Sequence, residues 1–297
     1  MKEAGNNVTL LARGKRFEDL KEEGIVLEEF ETGERTVTRV KLVDKMPADE
    51  YFDLCVVLIQ KTQLAEALPV LATNSRIPAF LFMHNTAEGS QPIIDALGEN
   101  RIILGHANAG GERDGNLVRY MIAEKMTIGE LKGRITERLK EIAGAFQEAG
   151  FPVVLSKNME AWKYYHVALV GPLANAIYMA GECNYRLSRS KEGVRKGIRG
   201  MREAFKVLKA NGIPVEPKKF HLMNIIPEFI LVPLFQRVLN TKLMDIGGAR
   251  HARNARDEMA RLNQELFRLA EKARIKTPVM RELHRYSDPD VEPAITD

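Results

Sequence analysis

The chain has 297 residues, 45% apolar and 28% charged, with 44 basic and 40 acidic side chains and a formal net charge of +4. That length admits two ordinary domains around a large core, and the composition excludes a disordered chain. The two charge signs are interleaved without a long single-sign block, which argues against nucleic acid as a partner.

No apolar run follows Met1 and none reaches ~18 uncharged residues, so neither a secretory signal nor a membrane span is expected. The longest apolar segments, 167–180 and 225–239, each contain proline and read as core or interface helices. Cys55 and Cys183 are far apart in apolar surroundings. They support neither a disulfide framework nor a metal site, and they suit a reducing cytoplasm.

Residues 1–14, MKEAGNNVTLLARG, run from a short helical stretch through a Gly5-Asn6-Asn7 stop to a strand at Val8–Leu11, then to Arg13-Gly14-Lys15-Arg16. In a dinucleotide-binding fold this order follows the phosphate loop: the end of the first helix, the second strand, and the basic residues that meet the adenosine ribose. No G-x-G-x-x-G that follows a strand and opens a helix occurs in the 297 residues. The expectation is therefore a nucleotide-binding domain whose first strand is missing and whose grip on the cofactor pyrophosphate is weakened.

Residues 24–29 and 36–43 read as a hairpin. The apolar run 53–59 predicts a parallel strand covered on both faces, leading through Gln60-Lys61-Thr62 into a helix with Leu64, Leu68 and Leu71. Further strands are expected at 78–83, ending in His84-Asn85-Thr86, and at 102–106. The alternation implies a mostly parallel α/β sheet.

From Leu131 the pattern turns helical, with apolar residues at Ile135, Leu139, Ile142 and Phe146 and a short strand at 151–155. Helices are then expected over 159–180, 190–211, 216–239 and 252–274. The boundary falls near residue 156, giving a Rossmann-type domain over 1–156 and an all-helical domain over 157–297. The acidic, proline-rich tail 287–297 is expected to fray.

Several features recur in a fixed order. Arg13-Gly14-x-Arg16 follows the first strand-like run, Lys61 follows the run ending at Ile59, and His84-Asn85 ends the next strand. Trp162-Lys163 opens a long helix that reaches Gly171-Pro172-Leu173. Glu258 to Asn263 lie in a late helix that precedes Pro278. In this order and spacing, from Gly5 to Pro278, the chain resembles the ketopantoate reductase (2-dehydropantoate 2-reductase) family.

The resemblance implies NADPH-dependent reduction of a 2-oxo acid or related carbonyl by a cytoplasmic homodimer serving pantothenate biosynthesis. Arg13, with Lys15 or Arg16, would pair with the 2′-phosphate of NADP; taken alone, these residues are a solvated turn. Lys61 and Asn85 would position cofactor and substrate. Lys163 would be the general acid that protonates the forming alkoxide, and Glu258 would bind the substrate hydroxyl.

The family's two asparagines, four and eight residues after the lysine, are Val167 and Gly171 here. His166 or Asn175 would have to replace them as substrate contacts, which puts ketopantoate itself in doubt as the substrate. The segment Gly247-Gly248-Ala249-Arg250-His251 reads as a linker or a binding loop. Two other readings stay open. One is a non-catalytic relative acting as a binding or assembly protein, and the other is a protein like the 3-hydroxyacid dehydrogenases. The absent asparagines and the Glu258 helix weigh against the second.

Overall fold

Short β-branched and aromatic runs build the sheets of the first half of the chain. The strands are β1 (Thr9–Leu11), β2 (Ile25–Glu29), β3 (Arg35–Thr38), β4 (Lys41–Val43), β5 (Cys55–Val57), β6 (Phe80–Phe82), β7 (Ile102–His106), β8 (Ala109–Asp114), β9 (Leu117–Ile122), β10 (Met126–Glu130) and β11 (Val153–Leu155). The computed structural model describes residues 1–122 and 125–296. It divides into one unit of Met1–Ile59, Gln63–His84 and Ser90–Met159 and another of Gln60–Thr62, Asn85–Gly89 and Glu160–Asp297.

The first unit is α/β. Its largest sheet has the order β11-β10-β7-β6-β5 and is parallel except where β7 meets β10. Residues 80–82, 102–104 and 128 are almost wholly shielded, as apolar strands covered on both faces should be. Leu81, Ile103 and Ile128 pack with Leu139 and Phe146 of a helix over Glu137–Glu148. Thr136 caps that helix by accepting from the Leu139 N–H.

The other sheets are β3-β2-β9-β8 and the parallel pair β1-β4. In chain order the helices of this unit are α1 (Lys15–Glu23), α2 (Leu64–Ala72), α3 (Gln91–Leu97) and α4 (Glu137–Glu148).

Several local expectations change. The run 53–59 contributes only Cys55–Val57 to the sheet, at its edge; Leu58 is 67% exposed. The 24–43 hairpin stops at Thr38, because Lys41–Val43 joins β1 in a different sheet.

The second unit is helical: α5 (Met159–Met179), α6 (Asn184–Arg189), α7 (Lys191–Ala210), α8 (Leu222–Ile225), α9 (Glu228–Leu239), α10 (Lys242–Met244), α11 (His251–Asn254), α12 (Arg256–Lys272) and α13 (Pro278–His284). The 216–239 helix breaks at Pro227, whose ring cannot continue a helix from the preceding turn. Residues 245–250 form a wide π-type turn with Ile246 and Ala249 buried, not a loop. The tail is held: the Ala294 and Ile295 N–H groups both donate to Met179 O at 3.0 Å. Val167, Ile177, Ile198, Phe205, Leu262 and Leu266 anchor the core of this unit.

Candidate active site in the helical unit

Two short connecting segments, 60–62 and 85–89, belong to the helical unit, and α12 fastens both. Glu258 and Glu265 are seven residues apart on α12, two turns along one face, and both are buried with Met259, Leu262 and Leu266. Glu258 Oε1 accepts the Lys61 backbone N–H at 2.8 Å. Glu265 Oε2 accepts the Ala87 backbone N–H at 2.6 Å.

The Lys61 side chain, 4% exposed, is enclosed by oxygen. Its Nζ lies 3.2 Å from Glu88 Oε2 and 3.5 Å from Glu265 Oε1, and it donates to Thr86 Oγ1 at 3.1 Å. Arg268 reaches Glu88 from the far side. Asn85 stands half-buried at the start of the same segment. Gly89, at φ +81°, leaves room that a Cβ would take from the Tyr164 hydroxyl, 3.0 Å away.

These carboxyls are not equivalent. Burial pushes the Glu265 carboxyl above the usual carboxylate range, as the adjacent Glu88 does. Burial also pushes Glu88 up, but Lys61 and Arg268 outweigh it and hold Glu88 low. Burial raises Glu258, partly offset by the Lys61 N–H.

Lys163 lies in the first turns of α5 and is 3% exposed. Burial, with the charge of Lys61 added to it, lowers its pKa to about 7. An ammonium tuned to that range can give up a proton near neutrality. One turn on, His166 stacks on Trp162 with ring centroids 5.0 Å apart and planes 13° from parallel. Burial and then Lys163 depress its pKa, so the ring is neutral. His251, from α11, also acts on His166.

The unit thus brings together Lys61, Asn85, Lys163, His166 and Glu258. It adds Thr86, Glu88 and Glu265, which sequence reasoning missed. The spacing of Glu258 and Glu265 on a shared apolar stripe was the available signal, concealed by the charges around it.

Gly171 has its own structural reason. A Cβ there would stand 3.1 Å from Asn263 Oδ1 and 3.2 Å from Nδ2, so the Asn263 amide occupies the space beside it. Asn175 is fully buried with both amide atoms unpartnered among the described residues. It is twelve residues beyond Lys163, about 18 Å along a helix, too far to hold the same small substrate.

Arg13, Lys15 and Arg16 belong to the first unit, where β1 runs into α1. Arg13 is exposed and Gly14 is the N-cap of α1. Lys15 pairs with Asp19 at 2.5 Å, and Arg16 donates to Asn116.

Residues 1–133 match the family model of ketopantoate reductase PanE/ApbA. Over those residues, less than half of the chain, the sequence is similar to a ketopantoate reductase domain. The family is one of oxidoreductases.

Solved structures extend the likeness over nearly the whole chain. D-mandelate dehydrogenase, solved with NADH and anilino(oxo)acetate, is 15% identical with a TM-score of 0.77, over 97% of this chain and 91% of that one. A 2-dehydropantoate 2-reductase from Geobacter metallireducens GS-15 is 14% identical with a TM-score of 0.78, covering 98% and 94%. A PanE/ApbA family ketopantoate reductase from Ralstonia eutropha JMP134 is 19% identical with a TM-score of 0.76, covering 96% and 90%. At these identities the likeness is one of fold. Among the curated proteins none matches by sequence. Among the described residues no helix is long and apolar enough to cross a membrane, and no group of three or more His, Cys, Asp or Glu residues could hold a metal ion.

Proposed function

We propose that this chain reduces the carbonyl of a small 2-oxo acid, with NADPH as hydride donor and Lys163 as proton donor. The observation that carries the reading is Lys163 itself, a buried lysine tuned to about 7 by desolvation and by Lys61. Such a group holds a proton at neutral pH and can part with it, which reduction of a ketone to an alcohol requires. While protonated it also offsets the negative charge that grows on the carbonyl oxygen. Lys61, held at its backbone by Glu258 and at its ammonium by Glu88, Glu265 and Thr86, positions cofactor and substrate together with Asn85. The neutral His166 ring, stacked on Trp162 one turn from Lys163, is a substrate contact in place of the absent asparagines.

The donor set at the start of α1 suits a phosphate. An exposed Arg13, a glycine N-cap without a side chain, and Lys15 and Arg16 in the first turn offer positive charge at a helix N-terminus. We assign Arg13 and its neighbours to the 2′-phosphate that distinguishes NADPH from NADH. When bound, the nicotinamide supplies the hydride; the chain's residues supply the proton and the charge complementarity. The two unpaired cysteines support a reducing cytoplasm as the working compartment.

The test is steady-state loss of NADPH absorbance with a panel of 2-oxo acids, phenylglyoxylate and ketopantoate included. Turnover of at least one member, with NADPH preferred to NADH, is the expected result. No turnover of any member by folded protein would remove the proposal in favour of a non-catalytic binding role.

A further inference from the structure

A glutamate in a helix as charged as α12 ordinarily faces solvent. Glu265 is instead 1% exposed, and its two oxygens have different surroundings. Oε2 accepts the Ala87 N–H at 2.6 Å, which ties the carboxyl to the 85–89 segment. Oε1 has no hydrogen-bond partner among the described residues and stands 3.5 Å from the Lys61 ammonium. Anchoring the segment needs one oxygen only. A neutral amide would supply it without the cost of burying a charge, so the acid at this position answers to Lys61.

The charged and titratable groups around Glu265 come from four elements. Lys61 and Glu88 lie on the two connecting segments, and Tyr164, on α5, is among the groups its charge acts on. Arg268, one turn on along α12, is taken up by Glu88. Burial raises the Glu265 carboxyl to about 7, with Glu88 adding to the rise and Lys61 and the Ala87 N–H opposing it. Burial and Lys61 bring Lys163 down to about 7. The two groups therefore change charge over the same range, with Lys61 in contact with one and acting on the other. His166, which also faces Lys163, is neutral there.

The direction of the coupling follows from charge. An ionised Glu265 offsets the Lys61 ammonium, and Lys163 then meets a weaker positive field. A protonated Glu265 leaves the Lys61 charge undiminished, which favours the neutral amine at Lys163. We infer that Glu265 is a positioning residue for carbonyl reduction, pinning the Lys61 ammonium and governing how much of its charge reaches Lys163. The inference rests on Lys163 being the proton donor, and it gives Glu265 a role exerted through Lys61.

The test follows Lys163 itself, with or without turnover. Nuclear magnetic resonance of the full chain, carbon-13 labelled at lysine Cε, reads the Lys163 titration, and Lys163→Met identifies the signal by its loss. Glu265→Gln keeps an oxygen for the Ala87 N–H and removes the charge. It should lower the Lys163 midpoint by about half a pH unit or more, the scale of one charge across a partly screened distance. Glu265→Asp, which restores the charge, should recover most of that shift. In steady-state reduction at pH 8, Glu265→Gln should lower kcat about threefold beyond any change seen at pH 6, the equivalent of half a unit.

An unmoved Lys163 midpoint in Glu265→Gln that is folded by circular dichroism overturns the inference. So does a shift that Glu265→Asp reproduces in full, since charge would then not be its cause. Should Glu265→Gln not fold, Lys61→Gln reads the same coupling from the other side: the Lys163 midpoint should rise by at least half a unit, and one that stays in place overturns the inference. A midpoint that moves as expected while the pH profile of kcat stays fixed has a different meaning. It removes Lys163 as proton donor, and the part played by Glu265 in the reaction goes with it.

Discussion

The segment around Lys61 and the first turns of α5 each bury a lysine in the helical unit, and they treat its charge in opposite ways. Lys61 is surrounded by acceptors: two carboxylates, a hydroxyl, and a third carboxylate on its own N–H. Lys163 is desolvated, and the charge that acts on it, Lys61, has the same sign. The first arrangement fixes a charge in place; the second makes a proton easy to release. Burial alone does not separate the two, because both side chains are almost fully enclosed.

The largest effect should come from breaking the second half of that contrast. Lys163→Ala is expected to lower kcat by roughly 10²-fold or more, the scale of losing a general acid, with NADPH affinity little changed. An unaltered kcat on a substrate that is turned over would remove Lys163 from the chemistry.

Breaking the first half should affect folding instead. Glu265→Ala leaves the Ala87 N–H unsatisfied and strips one carboxylate from Lys61, at a cost of about 2–3 kcal/mol. Urea unfolding reads this directly, and a loss below about 0.5 kcal/mol, ordinary for a surface change, would mean that the cage is not structural. Lys163→Met should shift stability the other way, raising it by roughly 2 kcal/mol at pH 6.

The sign of the last effect follows from linkage. The folded-state pKa of Lys163 lies below its unfolded value of 10.5. Between about 7 and 10.5 the folded chain therefore binds fewer protons than the unfolded one, and wild-type stability rises with pH. The advantage of Lys163→Met should be greatest below pH 7 and fade above it. Carbonyl reduction should be level below pH 7 and fall about tenfold per unit above it, because the donor must carry its proton. A reduction rate that instead climbs through that range would contradict the role.

The smallest effect is expected at the exposed pair in the first unit. Lys15→Ala should change stability by no more than about 0.5 kcal/mol, and any loss of NADPH affinity unmatched by NADH would locate the 2′-phosphate.

Long helices with a clear apolar period were readable in advance; α5, α7 and α12 lie within a few residues of their expected spans. Elements whose partners are remote were not. α1 buries only Leu20, so its polar sequence reads as a turn. The β8-β9 hairpin closes on its own Gly115-Asn116 turn, but the pairing of β9 with β2, about ninety residues earlier, leaves no local signal. The apolar run 53–59 promised a covered strand, but an edge position leaves half of it in solvent, a property of the neighbours and not of the run itself.

The site shows the same division. Lys61, Lys163 and Glu258 could be singled out because motif order marked them. Glu265 could not, since a charged helix conceals which carboxylate turns inward.

The contact between Gly171 and Asn263 makes two helices share one side chain's worth of space. A Cβ at position 171 requires the Asn263 amide to give by a few tenths of an ångström, so a side chain there is felt first at Asn263. Gly171→Asn alone should therefore press on the α12 side chain that lies between the two residues, Glu258 and Glu265, holding segments 60–62 and 85–89. The chemistry that α5 can offer at position 171 is thus tied to how Asn263 of the neighbouring helix is packed.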